Sequence, residues 1–203
     1  MQGNDPIDTD YKRNIDAALL KRIKTKNLLL TLATSSDLPE IKEIEDECDE
    51  YFRFDPPSAG DHNRSLRDCL IMGDMIPGVS EESYKTENYY LYCIRKDNVL
   101  VGWLSFYLEY QQKDTAYLSV VYIKEMYRSS GIGTEIVDAL ARKLAASQFR
   151  IIKTHCSLRN ALSLRFWVKS GFDRITEVEP CTGNLYPDNW GGLGLMKRID
   201  RGE

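Results

Sequence analysis

The sequence predicts an α+β domain, on three observations. Two β-prone runs, Tyr89–Arg95 and Val99–Tyr110, are interrupted only by Lys96, Asp97 and Asn98, which reads as a hairpin. A β-branched and aromatic run from Tyr117 to Ile123 leads through a polar turn to Gly131 and Gly133. From there Ile132, Ile136, Val137, Leu140 and Leu144 recur at helical spacing. The element order is a strand, two helices, four strands around a central helix, another helix and two closing strands.

Taken in order, residues 1–26 read as an N-terminal extension, and 27–203 as one domain. Within the extension, Ile15, Ala18, Leu19 and Ile23 lie at helical spacing, so a helix over Tyr11–Lys24 is expected. Leu28–Ala33 reads as the first strand. Asp37 is a candidate N-cap with Glu40 three residues on, and Leu38, Ile41, Ile44, Cys48, Tyr51 and Phe52 give the helix an apolar stripe. Glu40, Glu43, Glu45, Asp46, Glu47, Asp49 and Glu50 form its other face, solvated or an acidic wall for a cationic substrate. The turn formers from Phe54 to Asn63 predict a loop, Ser65–Met72 a short helix, and Ile76–Ser83 a second loop. After the central helix come a strand at Arg150–Cys156 and a helix at Asn160–Ser170 ended by Gly171. Strands at Phe172–Glu177 and Leu193–Ile199 close the chain.

Composition narrows the function. A formal charge of -4 over 203 residues argues against a nucleic-acid partner, since phosphate binders carry a basic excess. No apolar run is long enough to span a membrane, and the start MQGNDPIDTD lacks the apolar core of a signal peptide, so a cytoplasmic protein is expected. Cys48, Cys69, Cys93, Cys156 and Cys181 are odd in number and scattered, as reduced thiols are. His62 and His155 have no ligand at metal-binding spacing, so no metal is expected. An antiparallel edge strand or the N-terminal helix offers a surface for a homodimer.

Strand, glycine turn and helix together make a cradle for an anion. The N–H groups of a first helical turn lack partners and the helix dipole favours negative charge, while glycine admits a close approach. The context makes this cradle specific. Arg128, Gly131 and Gly133 match an R/Q-x-x-G-x-G/A signature, and Asn160, Ser163, Phe166, Lys169, Gly171 and Phe172 match N-x-x-A/S-x-x-F-Y-x-K-x-G-F. With these two motifs in this element order, the chain resembles the GNAT superfamily of acyl-CoA-dependent N-acetyltransferases from Leu28 to Ile199.

The resemblance implies a mixed, mostly antiparallel central sheet flanked by helices on both faces. It implies acetyl-CoA as cosubstrate, with its pyrophosphate on the N–H groups of Ser129, Ser130, Gly131, Ile132, Gly133 and Thr134 and on the Arg128 side chain. Pantetheine is then expected between two splayed strands, against the main chain of Val121 and Ile123, with Asn160 and Ser163 beside it. Asn160 also reads as a helix N-cap, and the two roles are compatible.

The reaction implied is direct attack of a primary amine on the thioester. An alkyl ammonium has a pKa of about 10.4, so a base or water relay must take its proton. Glu109, at a strand end beside the central strand, is the expected base, and the loop with Asp55, Asp61 and His62 is the next candidate. His155, inside an apolar strand, reads as structural. Family members commonly place an acidic Tyr after the aromatic at Phe166, where this chain has Trp167, whose N–H cannot protonate a thiolate. Tyr122, Tyr127 or water can take that place, and Tyr122 is the expected acid. A protein that binds acyl-CoA as a sensor with little transfer is the alternative. A P-loop nucleotide site is disfavoured, since no Lys-Ser/Thr follows the glycines.

Overall fold

Asp97 and Asn98 take φ of 50° and 67°, the left-handed conformation that a two-residue hairpin turn demands and that Asp and Asn tolerate. They join β3 (Tyr89–Lys96) to β4 (Val99–Leu108), the pair around which the sheet is built. The computed structural model describes residues 22–52, 88–182 and 190–199. Within these lie β1 (Arg22–Lys24), β2 (Leu29–Leu32), β5 (Thr115–Ile123), β6 (Ile151–Ser157), β7 (Arg174–Thr182) and β8 (Trp190–Arg198). The helices are α1 (Leu38–Phe52), α2 (Ile132–Ala145) and α3 (Ala161–Lys169). The expected helix at Ser65–Met72, the loops at Phe54–Asn63 and Ile76–Ser83, and Asp55, Asp61 and His62 fall outside the described residues.

All eight strands form one sheet in the order β1-β2-β3-β4-β5-β6-β8-β7. Every neighbouring pair is antiparallel except β5 and β6, which α2 connects as a parallel crossover. This is the mixed, mostly antiparallel sheet that the sequence predicts. The parallel ladder is short: Thr115 pairs with Ile151, Ala116 with Ile152 and Tyr117 with Lys153, and there it stops. Above Tyr117 the two strands part. At the fork the Thr154 hydroxyl donates to the Leu118 carbonyl at 2.9 Å.

On its other edge β5 stays paired to β4 throughout, with one irregularity. Ser105 faces Val120 while the next residue, Phe106, faces Leu118, so Ser119 is an extra residue in β5. The bulge resets the alternation just above the fork. Leu118, Val121 and Ile123 pack with α2, whereas Val120 and Tyr122 join Ile41, Ile44, Leu91, Cys93, Leu100 and Trp103 beneath α1. The larger core lies on the α2 side, where Ile136, Val137, Leu140 and Leu144 meet Leu104, Phe106, Leu118 and Ile152.

Three local expectations change. Arg22–Lys24, expected to end a helix, forms β1, because Ile23 pairs with Leu30 and is buried in the larger core. Tertiary burial overrides the helical spacing there, and the sheet begins inside the predicted extension. The entry to α1 is capped from Thr34 rather than Asp37: Ser35–Asp37 form a 3-10 turn, and the Asp37 carboxylate accepts from the Thr34 N–H and hydroxyl, both at 2.8 Å. Glu45, assigned to the solvated face, is only 3% exposed and shares the inner face with Ile41 and Ile44.

No helix among the described residues is long and apolar enough to cross a membrane. Nor do those residues include a group of three or more His, Cys, Asp or Glu side chains placed to hold a metal ion.

Candidate active site

The turn leaving β5 is held by its own arginine. Arg128 Nε donates to the Ile123 carbonyl at 2.8 Å, folding the chain back onto the strand end, and the Ser130 hydroxyl donates to the Tyr127 carbonyl. Ser129 and Gly131 both adopt positive φ, 59° and 86°, so two left-handed residues wind the chain into α2. Ser129, Ser130 and Gly131 are exposed. Among the described residues, none of the N–H groups from Ser129 to Thr134 donates to a backbone carbonyl; the first to do so is Glu135, to the Gly131 carbonyl at 3.0 Å. Six consecutive donors therefore stand at the positive end of a 14-residue helix.

The two glycines have different tasks. A Cβ on Gly131 would meet nothing within 4 Å, so the space before it is open and only its φ calls for glycine. A Cβ on Gly133 would lie 2.7 Å from Phe166 Cε2 and 3.5 Å from Ile123 Cδ1. On its side-chain side Gly133 thus admits the aromatic ring of α3, and its main chain remains part of the turn. That contact seats α3 against the start of α2 and ties the second motif to the first.

Asn160 caps α3 through its side-chain oxygen, which accepts from Ser163 N–H at 2.9 Å. Its side-chain NH2 donates to nothing among the described residues, although Asn160 is only 9% exposed. Trp167, two turns on, is 5% exposed and packs against Phe166 and Phe172 at ring-centroid distances of 4.7 and 5.0 Å. The indole is therefore a core side chain.

Val121 and Ile123 lie on β5 above the fork, with β4 on one edge and no ladder partner on the β6 edge. Tyr122, between them, points to the α1 side, where its ring lies 4.8 Å from that of Trp103. Val121, Ile123, Arg128, the turn and Asn160 are thus brought to one end of the sheet. Glu109 is not. It follows Leu108, whose partner is Ala116 at the bottom of β5, about 23 Å from Ile123 at strand spacing. A φ of 59° turns Glu109 out of the strand alternation, and its carboxylate takes the Asn88 and Gln148 amides, each at 3.5 Å.

Residues 40–172 match the sequence profile described as the Acetyltransferase (GNAT) family. The chain belongs to the GNAT acetyltransferases. Solved GNAT structures share its fold. One is the Salmonella typhimurium acetyl transferase that modifies the N-terminal serine of ribosomal protein L7/L12, with 19% identity and a TM-score of 0.67 over 88% of this chain and 99% of that one. Another is the Escherichia coli ribosomal-protein-S18-alanine N-acetyltransferase, with 12% identity and a TM-score of 0.60 over 87% and 96%. A third is the microcin C7 self-immunity acetyltransferase MccE bound to acetyl-CoA and AMP, with 16% identity and a TM-score of 0.64 over 86% and 94%. At such identities the likeness is one of fold. Among proteins of curated function, none matches the sequence.

His155, read from the sequence as structural, lies on β6. The strand alternates, burying Ile152, Thr154 and Cys156 towards α2 and turning Lys153 and His155 to the opposite face. There the imidazole crosses β8 and its Nε2 stands 3.3 Å from Glu179 Oε2 on β7. The signal was present in Trp190-Gly191-Gly192-Leu193-Gly194, a strand with three glycines: a Cβ on Gly192 would lie 2.1 Å from the imidazole. The buried Cys93 thiol is no nucleophile, since burial, then the Asp37 charge, push it up to about 12.

Proposed function

We propose that the protein moves an acetyl group from acetyl-CoA to a primary amine by direct attack. The observation that carries this reading is the run of six N–H groups without a backbone acceptor among the described residues, at the α2 N-terminus directly above the β5–β6 fork. In this reading Ser129, Ser130, Gly131, Ile132, Gly133 and Thr134 hold the pyrophosphate through their main chain. Arg128 keeps the cradle in shape by gripping Ile123, and it adds positive charge. The pantetheine arm enters the fork like an added strand, against the main chain of Val121 and Ile123. The Asn160 NH2, with Ser163 beside it, faces the arm.

The acceptor class is a primary amine of a peptide or a small molecule. One structural neighbour modifies the N-terminal serine of a ribosomal protein and another is named for an alanine of one, and the first supports an N-terminal α-amine. Such an amine, with a pKa near 8, is far easier to deprotonate than a lysine at about 10.4. Tyr122 is assigned as the general acid for the departing thiolate.

A second reading, an acyl-CoA sensor, is favoured by one feature: the buried Trp167 indole at the position where relatives carry a tyrosine hydroxyl. Calorimetric titration with acetyl-CoA followed by thiol release over an amine panel separates the two. Binding with release supports the transferase, binding without release the sensor. Gly131→Glu places bulk and negative charge in the open space before the cradle, and acetyl-CoA affinity should fall by about 100-fold or more. A folded variant with unchanged affinity removes the phosphate assignment.

A further inference from the structure

We propose that His155 accepts the proton of the acceptor amine and that Glu179 positions it; this rests on the acetyltransferase reading above. The parallel register that pairs Tyr117 with Lys153 carries His155 to the level of Ser119, two residues past the last pair and at the mouth of the fork. Its side chain leaves the sheet on the face away from α2, the face that Tyr122 also uses. An acceptor entering over that face in the proposed complex passes the level of His155 on its way to the fork.

The chemistry of the pair follows from its geometry. Glu179 faces Nε2 at 3.3 Å, so the neutral imidazole carries its hydrogen there and presents the Nδ1 lone pair outward. An imidazole nitrogen with a free lone pair is the side-chain group most often used as a general base. With side chains 35% and 55% exposed, the pair can hand that proton on to solvent. Among the described residues, the charged groups on the strands beside His155 include Glu179 and Glu177 of β7 and Lys153 of β6, whose ammonium donates to Gln111 at 3.1 Å, and α1 on the same face carries Glu45 and Glu47. Glu109 is remote, at the bottom of β5.

The step balances as follows. His155 Nδ1 takes one proton from the acceptor ammonium and passes it to water. The freed amine forms the N–C bond, the C–S bond breaks, and the thiolate takes the proton of Tyr122. The nitrogen loses its second proton, which restores Tyr122 through solvent. The products are the amide, coenzyme A thiol and one released proton.

The test uses the full chain with acetyl-CoA and, as acceptors, peptides starting with serine or alanine, lysine amide, spermidine and, failing these, water. His155→Gln should lower kcat/KM for thiol release by about 100-fold while the acetyl-CoA Kd stays within about two-fold. Glu179→Gln should lower it by about five-fold and move the acid limb of the pH profile to lower pH, because the imidazolium loses its neighbouring charge. A surface ion pair only would leave both the rate and the limb unmoved, and that result overturns the proposal. Release that survives His155→Gln also overturns it, as does acetyl-CoA binding by the wild type without release to any acceptor. Absence of acetyl-CoA binding instead removes the acetyltransferase reading itself. Thermal unfolding of each variant confirms that the folded protein is compared.

Discussion

The two ends of β5 are built from the same kinds of residue and do opposite work. At the lower end Ala116 and Tyr117 are paired on both sides, to β4 and to β6, and Tyr117 lies 4.5 Å from the Tyr110 ring. At the upper end Val121, Tyr122 and Ile123 keep only β4 and are secured from outside by Arg128 and by the Trp103 ring. An open edge in mid-sheet costs unpaired backbone groups unless something else takes them. The difference teaches that the fold gives up half a ladder where a ligand is expected and replaces it with side-chain braces.

The strongest way to break this comparison is to disturb the one ladder that the upper end retains. Gly102 on β4 passes so close to β5 that a Cβ would lie 2.2 Å from the Tyr122 carbonyl oxygen, a backbone atom that cannot swing aside. Gly102→Ala should cost about 3 kcal/mol in urea unfolding. A neutral result would mean that the upper end of β5 is free to move and that Arg128 braces nothing.

Next come the glycines above the fork. Gly133→Val drives a side chain into the Phe166 ring, 2.7 Å from its Cβ, and should cost about 2 kcal/mol by separating α3 from α2. Gly131→Ala meets no atom within 4 Å, so its cost is the left-handed φ of 86° alone, about 1 kcal/mol. Denaturant midpoints of the two variants check the order. Equal losses would mean that the Phe166 contact does not hold α3 against α2.

At the lower end the expected effect is smaller and of another kind. Tyr110→Ala removes a ring 4.5 Å from Tyr117 and 6.4 Å from Tyr107, worth about 1 kcal/mol as aromatic contact. Acetyl-CoA affinity, measured alongside by calorimetry, should not change. A loss of affinity would mean that the two ends are coupled.

Much of this was legible in the sequence, because it was written in local signals. The hairpin at Asp97 and Asn98, the stripe of α2 and the caps around Asn160 and Gly171 depend on neighbours in the chain, and the structure keeps them. What escaped depends on partners far away. Ile23 became a strand residue because Leu30 was there to pair with it. Glu45 reads as solvated by type yet shares its face with Ile41 and Ile44. The surroundings of Glu109 and His155 have the same origin: a left-handed φ takes one out of the strand alternation, and three aligned strands set the other beside Glu179. No spacing along one strand reports such an alignment.

The smallest expected effect concerns a brace that reaches the upper end through α2. Glu135, in the first turn of that helix, accepts from Thr25 Oγ1 at 2.5 Å and Asn27 N–H at 3.0 Å with one oxygen, and from Asn27 Nδ2 at 2.9 Å with the other. Burial pushes its carboxyl up, but these donors, with the charge of Lys26, outweigh burial and hold it below its usual value. A carboxyl depressed in the folded state contributes stability above its unfolded pKa of about 4.3, and that contribution fades as pH falls through the folded value. Glu135→Gln keeps the shape and removes the charge, so it should cost about 1 kcal/mol at pH 7. The gap should close at pH 3, where the wild type is itself becoming neutral. Urea midpoints at the two pH values decide the matter. A gap that persists in acid would mean that the shape of the Thr25–Asn27 turn, not the charge at the α2 N-terminus, holds this end of the sheet.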